Sequence, residues 1–240
     1  MARTTVKDRI EPAVDVAAGI PDAALQDAIT EETRVAARGV SFPSAEMAAL
    51  YQRVRARHPA DRGIVVQVIG AQRGVGVTSV AQGIGAVAAE LSSQRVLLCD
   101  ATGQDDLLRL NRVVIRRSLP KLAAYAGFSV PSGLIACPLD RDRTQSEMLA
   151  NTLEYADALK KVRSVFDMIV IDAPASNVSD IGIAMAKHVD ATIIVIEAER
   201  TREPLISGLV NQLESAGGKV AGLVLNRRVL HIPRFVYRWL

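Results

Sequence analysis

From Ile64 onward the chain alternates short, predominantly apolar runs with stretches of helical periodicity. The runs at 64–69, 95–99, 169–171, 191–196 and 220–225, with a weaker one at 134–137, are apolar at nearly every position, Gln67, Arg95 and Thr192 being the polar exceptions. A strand covered on only one face would alternate instead, so these predict strands of a parallel sheet buried on both sides. Between them, 77–91, 146–165, 181–188 and 203–216 carry helical patterns. The repeated β-α order predicts an α/β fold: a doubly wound, mostly parallel sheet with helices on both faces. Ahead of it, Ser44 suits the cap of a helix starting at Ala45, with Met47, Leu50, Tyr51 and Val54 on its apolar face and Arg53, Arg55 and Arg57 elsewhere. Residues 1–40 show no strand pattern and are rich in Ala, Asp, Glu, Thr and Pro; they are expected to be a flexible tail with one short helix at 22–37. The chain therefore divides into a tail (1–40), a domain with its leading helix (41–230) and a basic, aromatic C-terminal tail (231–240).

Composition narrows the function classes. A chain of 240 residues that is 49% hydrophobic supports one sizeable core. Its 29 basic and 26 acidic residues leave only +3, a small excess and not a basic stripe, so no nucleic-acid partner is expected. Cys99 and Cys137 lie in apolar runs with neither CxxC nor zinc spacing, which predicts reduced core residues. His58, His188 and His231 show no ligand spacing, and no serine stands in a nucleophile elbow, so metalloenzyme and hydrolase readings lack support. No apolar signal core follows the N-terminus and no run reaches a membrane-spanning length, which predicts a soluble, intracellular chain.

The chemistry concentrates where the first strand turns into a helix. Gly70-Ala71-Gln72-Arg73-Gly74-Val75-Gly76-Val77-Thr78-Ser79 is placed as a phosphate loop must be. Gly74 and Gly76 allow backbone N–H groups to converge on a phosphate, and Thr78 offers a hydroxyl to a magnesium ion. Where a GK[ST] loop has lysine this chain has Val77, and the lost charge-assisted contact is worth about 1.5–3 kcal/mol. Slow or absent turnover is expected, with Arg73 as the candidate substitute cation. Two strands end in aspartate, Asp100 and Asp172, which a parallel sheet brings out at the same carboxyl edge. There they suit water-mediated Mg²⁺ binding or proton acceptance. Taken singly, the glycines also fit a plain tight turn and each aspartate a helix cap; three such elements in order favour the phosphate site.

Over 44–227 the chain resembles the bacterial tyrosine kinase branch of the MinD/ParA-like P-loop ATPases, proteins of capsule and exopolysaccharide synthesis. Arg73-Gly74-Val75-Gly76-Val77-Thr78-Ser79 stands at the family's PGxGK[ST]T loop, Val96-Leu97-Leu98-Cys99-Asp100 at its VLLxDxD strand, and Phe166-Asp167-Met168-Ile169-Val170-Ile171-Asp172-Ala173-Pro174-Ala175 at FDxxIIDxPP. The resemblance implies ATP or ADP with Mg²⁺ as cofactors. It places Arg73 to Ser79 on phosphate, Thr78, Asp100 and Asp172 near the metal, and Asn226, with Arg227 beside it, at the base. In an active member Asp100 and Asp172 would be the catalytic residues. The implied partner is a membrane polysaccharide co-polymerase or another export-machinery protein; self-association is compatible, and the location is cytoplasmic or peripheral at the inner membrane. The chain departs from the family in offering Tyr237 alone where a tyrosine cluster stands, and in lacking ExxRxxR spacing around Arg53 and Arg55.

The expectation is a degenerate kinase-like protein acting by interaction. Its rivals are a live ATPase or tyrosine autokinase using Arg73, and a MinD/ParA-like positioning ATPase whose signature lysine would fall at Gln72. The 231–240 tail, with arginines among aromatics, is read as docking on a membrane surface or partner, against the alternative of packing on its own domain.

Overall fold

The computed structural model describes residues 44–58, 62–92, 94–104, 118–123, 133–140 and 142–227. The expected helix at 22–37 and the 231–240 tail lie outside these residues. Helix α1 (Ser44–Arg55) leads into β1 (Ile64–Gly70), followed by α2 (Val77–Ser92), β2 (Arg95–Asp100), α3 (Leu119–Ala123), β3 (Gly133–Pro138), α4 (Gln145–Ala150), α5 (Thr152–Val162), β4 (Met168–Asp172), α6 (Ile181–Met185), β5 (Ala191–Glu197), α7 (Glu203–Ser215) and β6 (Val220–Asn226). The strands form one sheet in the order β3-β2-β4-β1-β5-β6, with every pairing parallel. The loop-bearing β1 and the aspartate-bearing β4 and β2 are consecutive in that order, so their carboxyl ends meet.

Period-two alternation sends each strand's side chains to two cores. Val66, Val68, Val96, Leu98, Met168 and Val170 pack under α1 and α2, with Met47, Tyr51 and Val54 buried on α1 as its periodicity predicts. Val65, Leu97, Ile135, Ile169 and Ile171 pack on the other face with Tyr155, Leu159 and Val162 of α5. Cys99 and Cys137 are register partners on β2 and β3, both buried and free, with sulfurs 3.7 Å apart. The contact with Cys137, together with burial, pushes the Cys99 thiol well above its usual range.

Three expectations need correction. The helix foreseen over 146–165 is two helices parted at Asn151, whose amide turns back onto the Glu147 carbonyl (2.6 Å). The helix foreseen over 181–188 ends at Met185 and closes with a 3₁₀ turn, Ala186–His188. Burial on both faces fails at β6, an edge strand whose Leu223 and Leu225 are half exposed. The five-residue α3 was not foreseen, being too short to carry a period.

Arg95 and Asp167 tie the amino ends of β2 and β4 together. Arg95 donates from Nη2 (2.6 Å), Nε (3.0 Å) and its backbone N–H (2.9 Å) to the Asp167 carboxylate. The Arg95 hydrogen bond holds that carboxyl below the usual aspartate range despite partial burial. Both side chains are more than a third exposed, so solvent screening reduces the pair's worth. Asp167→Ala is expected to cost about 1 kcal/mol near neutral pH. Because the folded pKa is depressed, that contribution is present above the unfolded value and is lost as pH falls through the folded one. The gap between wild type and variant in urea unfolding should therefore close below about pH 4. A gap unchanged at about pH 3 would assign the loss to packing.

Candidate functional site

Between β1 and α2 the backbone makes the tight, irregular turn expected of a phosphate loop. Gly74 (φ 86°) and Gly76 (φ 95°) both lie in the left-handed region, which L side chains adopt only with strain. Gly76 is also sterically committed: a Cβ there would stand 2.1 Å from Asn226 Nδ2. The loop is braced from two sides. Asn226 Nδ2, at the end of β6, donates to the Val75 carbonyl (2.8 Å). After β4, the Ser176 N–H donates to the Gly70 carbonyl (2.9 Å) and its Oγ to the Ala71 carbonyl (3.4 Å). Asn226 thus contacts the loop across 151 positions of sequence.

Val77 opens α2 partly buried, packed against the core beneath that helix. A Cβ placed on Gly70 would meet Val75 Cγ2 at 2.7 Å and Val77 Cγ2 at 3.0 Å, so both valines close over the end of β1. The position that carries cationic charge in a GK[ST] loop is here an apolar plug. Thr78 and Ser79 follow in the first turn of α2, half-buried and exposed respectively. Exposed Arg73 does not reach back over the loop; its Nη2 donates to Gln104 Oε1 (3.2 Å), beyond the end of β2.

Asp100 and Asp172 are direct register partners on β2 and β4, both essentially buried. By strand parity both point to the face that carries α2. Asp100 Oδ1 accepts from the Thr102 N–H (2.8 Å) and from Thr102 Oγ1 (2.6 Å). Asp100 Oδ2 is buried and accepts no hydrogen bond among the described residues. Two buried carboxylates side by side, one with an unused oxygen, make a hard-oxygen donor set that fits Mg²⁺. Among the described residues no cluster of three or more His, Cys, Asp or Glu forms a metal cage. The fit is therefore to an ion that completes its shell with water and phosphate oxygens.

The expected residues surround the loop but fall into separate concavities. Arg73, Gly74, Val75 and Arg227 line a cleft of about 610 Å³ that also takes Glu197, Arg200 and Arg202. Arg227 leaves β6 with φ 54°, and its Nη1 lies 3.5 Å from Glu197 Oε1. Asp100 lines a second cavity of about 390 Å³ with Thr102, Asp140 and Arg143. Asn226 and Ser79 border a third, between α1 and β6. The sequence reading overlooked Asp140, a third buried carboxylate at this edge. Its Oδ2 accepts from Tyr155 OH (3.2 Å), and burial pushes that phenol up to about 12. The signal was there, an apolar run ending in aspartate at Leu139-Asp140, but Pro138 interrupts it. Arg200 and Arg202 were overlooked as part of a cationic rim for lack of any spacing that ties them to the loop.

No family model matches the chain. In sequence it resembles CapB of Staphylococcus aureus, 33% identical over 82 residues that cover 34% of this chain and 36% of CapB. It also resembles the tyrosine-protein kinase CpsD of Streptococcus agalactiae, 24% identical over 118 residues, 49% of this chain and 46% of CpsD. The chain thus matches less than half the length of these curated relatives. Among solved structures, the chimerical protein CapA2B2 superposes with a TM-score of 0.65 at 14% identity, over 88% of this chain and 100% of that one. The kinase domain of the Escherichia coli tyrosine kinase ETK gives 0.62 at 18% identity, over 79% of each chain. A ParA family ATPase from Chlorobium tepidum gives 0.55 at 17% identity, over 68% of this chain and 74% of that one. The fold is that of the MinD/ParA-like P-loop proteins, and within it the chain resembles bacterial tyrosine kinases.

Proposed function

We propose that the chain is a degenerate tyrosine-kinase-like P-loop protein of exopolysaccharide or capsule biosynthesis and export, a regulatory or scaffolding partner of a membrane polysaccharide co-polymerase. The observation that supports this reading most directly is Val77. A loop otherwise shaped for phosphate carries, at its cationic position, a side chain folded onto Gly70 and the core. The kinase resemblance supports this pathway, and the location that goes with it would be the cytoplasmic face of the inner membrane. No helix among the described residues is long and apolar enough to cross a membrane, so in this reading the spans belong to the partner.

Nucleotide still has a place in this reading. Gly74, Gly76 and Thr78 would hold phosphates, Asp100 and Asp172 would hold Mg²⁺, and Asn226 with Arg227 would lie toward the base. Bound magnesium would neutralise phosphate charge. The chain's own residues would orient the nucleotide through the loop's backbone N–H groups. With no lysine on the β- and γ-phosphates, occupancy would act as a signal rather than as the start of phosphoryl transfer. The test pairs two measurements. Incubation with radiolabelled ATP and Mg²⁺ is expected to give no phosphotyrosine, while the protein co-purifies with a membrane polysaccharide co-polymerase from its native host. Phosphotyrosine that disappears in Asp100→Ala would overturn the degenerate reading.

One observation favours a live enzyme instead: the four arginines that line the cleft beside the loop, Arg73, Arg200, Arg202 and Arg227. If they replace the lysine collectively, Arg73→Ala alone should lower turnover by about tenfold, the effect of removing one charge-assisted contact. A wild type with no turnover excludes this alternative.

A further inference from the structure

The opposite edge of the sheet, where strands begin and helices end, holds a larger cavity of about 1070 Å³. Its walls are strongly cationic. Arg55 comes from the end of α1, Arg95 from the start of β2, Arg163 from the end of α5, Lys187 from the 3₁₀ turn, and Lys219 from the start of β6. With Arg62 and Lys160, seven lysines and arginines face the cavity against two carboxylates, Asp167 and Asp190.

Those carboxylates are already engaged. Asp167 is gripped by Arg95. Asp190 accepts from the Val65 N–H (2.8 Å) and pairs with Arg163 (2.9 Å) and Arg62 (3.4 Å). Lys160 pairs outside the cavity lining with Asp157 (2.9 Å). Helix C-termini also favour cations, and α1, α2, α5 and α7 end here. At about half a negative charge each, they leave roughly two positive charges unanswered. Capping alone does not account for the cluster.

The second observation is unmet hydrogen bonding. Arg55 Nη1, Gln94 Oε1 and His188 Nε2, all from residues that line this cavity, are buried without a hydrogen-bond partner among the described residues. Buried polar atoms are rarely left so, and a guanidinium nitrogen least of all. Its natural complement is an oxyanion.

We propose that this cavity binds a soluble small molecule bearing two or more phosphate groups, at a site separate from the phosphate loop. The charge excess matches a diphosphate better than a single carboxylate. The volume is of the size that encloses an organic ligand, where a lone phosphate would be loose. A concave site recessed among strand starts suits a discrete molecule more than the flat face of a bilayer.

The probe is tripolyphosphate, titrated calorimetrically into the full chain, with Lys187→Glu/Lys219→Glu and Arg55→Gln as variants. Lys187 and Lys219 are exposed, so reversing their charge leaves the core intact; Arg55→Gln keeps an aliphatic stem on α1. Each variant is expected to bind at least about tenfold more weakly, while Thr78→Ala in the phosphate loop leaves this binding unchanged. Binding should also weaken steeply with salt. The proposal is overturned if folded wild type takes up no tripolyphosphate at millimolar concentration, or if both cavity variants bind as wild type does. It is equally overturned if only Thr78→Ala reduces binding, or if the protein floats with phosphatidic acid vesicles yet ignores the free polyanion.

Discussion

Replacing Val77 by lysine is expected to tighten Mg²⁺·ATP and Mg²⁺·ADP binding by about 10–100-fold, the equivalent of one restored charge-assisted phosphate contact. The surroundings permit the change. Val77 is only partly buried, and its methyl group lies over Gly70, where the absence of a Cβ leaves room for an aliphatic stem. A lysine can run its methylenes along that path and carry its ammonium to the loop, so the apolar contact is largely retained. The stability change should stay within about 1 kcal/mol. Calorimetry on both proteins reads the result. Weak or absent binding in wild type with clear gain in the variant fits a loop whose cationic element was lost while its backbone persisted. Micromolar binding in wild type with no gain means that the charge is supplied elsewhere. Arg73, Arg200, Arg202 and Arg227 around the adjoining cleft then become the working cations, and the chain is to be treated as an enzyme.

What the sequence made legible follows from how local each signal is. Predominantly apolar runs revealed β1, β2, β4 and β5, since burial on both faces leaves no polar parity and the buried Gln67 and Thr192 are isolated exceptions. The same logic misjudged β6, where the chain is as apolar but the sheet ends and Leu223 and Leu225 face outward. Strand-end aspartates and the glycine loop were readable together, since in a parallel sheet every strand delivers its C-terminal residue to one edge. Contacts between distant positions were not readable. Nothing near Asn226 says that its amide holds the Val75 carbonyl, and nothing near Asn151 says that its side chain turns onto Glu147 instead of pointing to solvent. The cationic cavity is the extreme case. Arg55, Arg95, Arg163, Lys187 and Lys219 are scattered through the chain and contribute to an unremarkable net charge of +3, and only the meeting of strand starts assembles them.

The two carboxylates at the other edge set function against stability. Asp100 and Asp172 are neighbours across β2 and β4, buried on the same face, and Asp100 Oδ2 has no hydrogen-bond partner among the described residues. Two carboxylates at paired, buried positions of neighbouring strands destabilise the fold when both are ionised unless a cation joins them. Asp100→Asn keeps Oδ1 to accept from the Thr102 N–H and hydroxyl, removes one charge, and places an amide donor where the unused oxygen was. The apo protein should therefore become more stable by about 1–3 kcal/mol, which for a domain of this size corresponds to roughly 2–10 °C in melting temperature. The same variant should lose any Mg²⁺-dependent gain in melting temperature with ADP, because a neutral amide is a poor ligand for a hard dication. Thermal unfolding of both proteins with and without Mg²⁺·ADP separates the two effects. A variant that melts lower than wild type would mean that the aspartate is held as a structural acceptor by Thr102, and that the edge is built for folding alone. A variant that melts higher but no longer responds to Mg²⁺·ADP would mean that the chain still tolerates a buried repulsion whose purpose is to hold an ion.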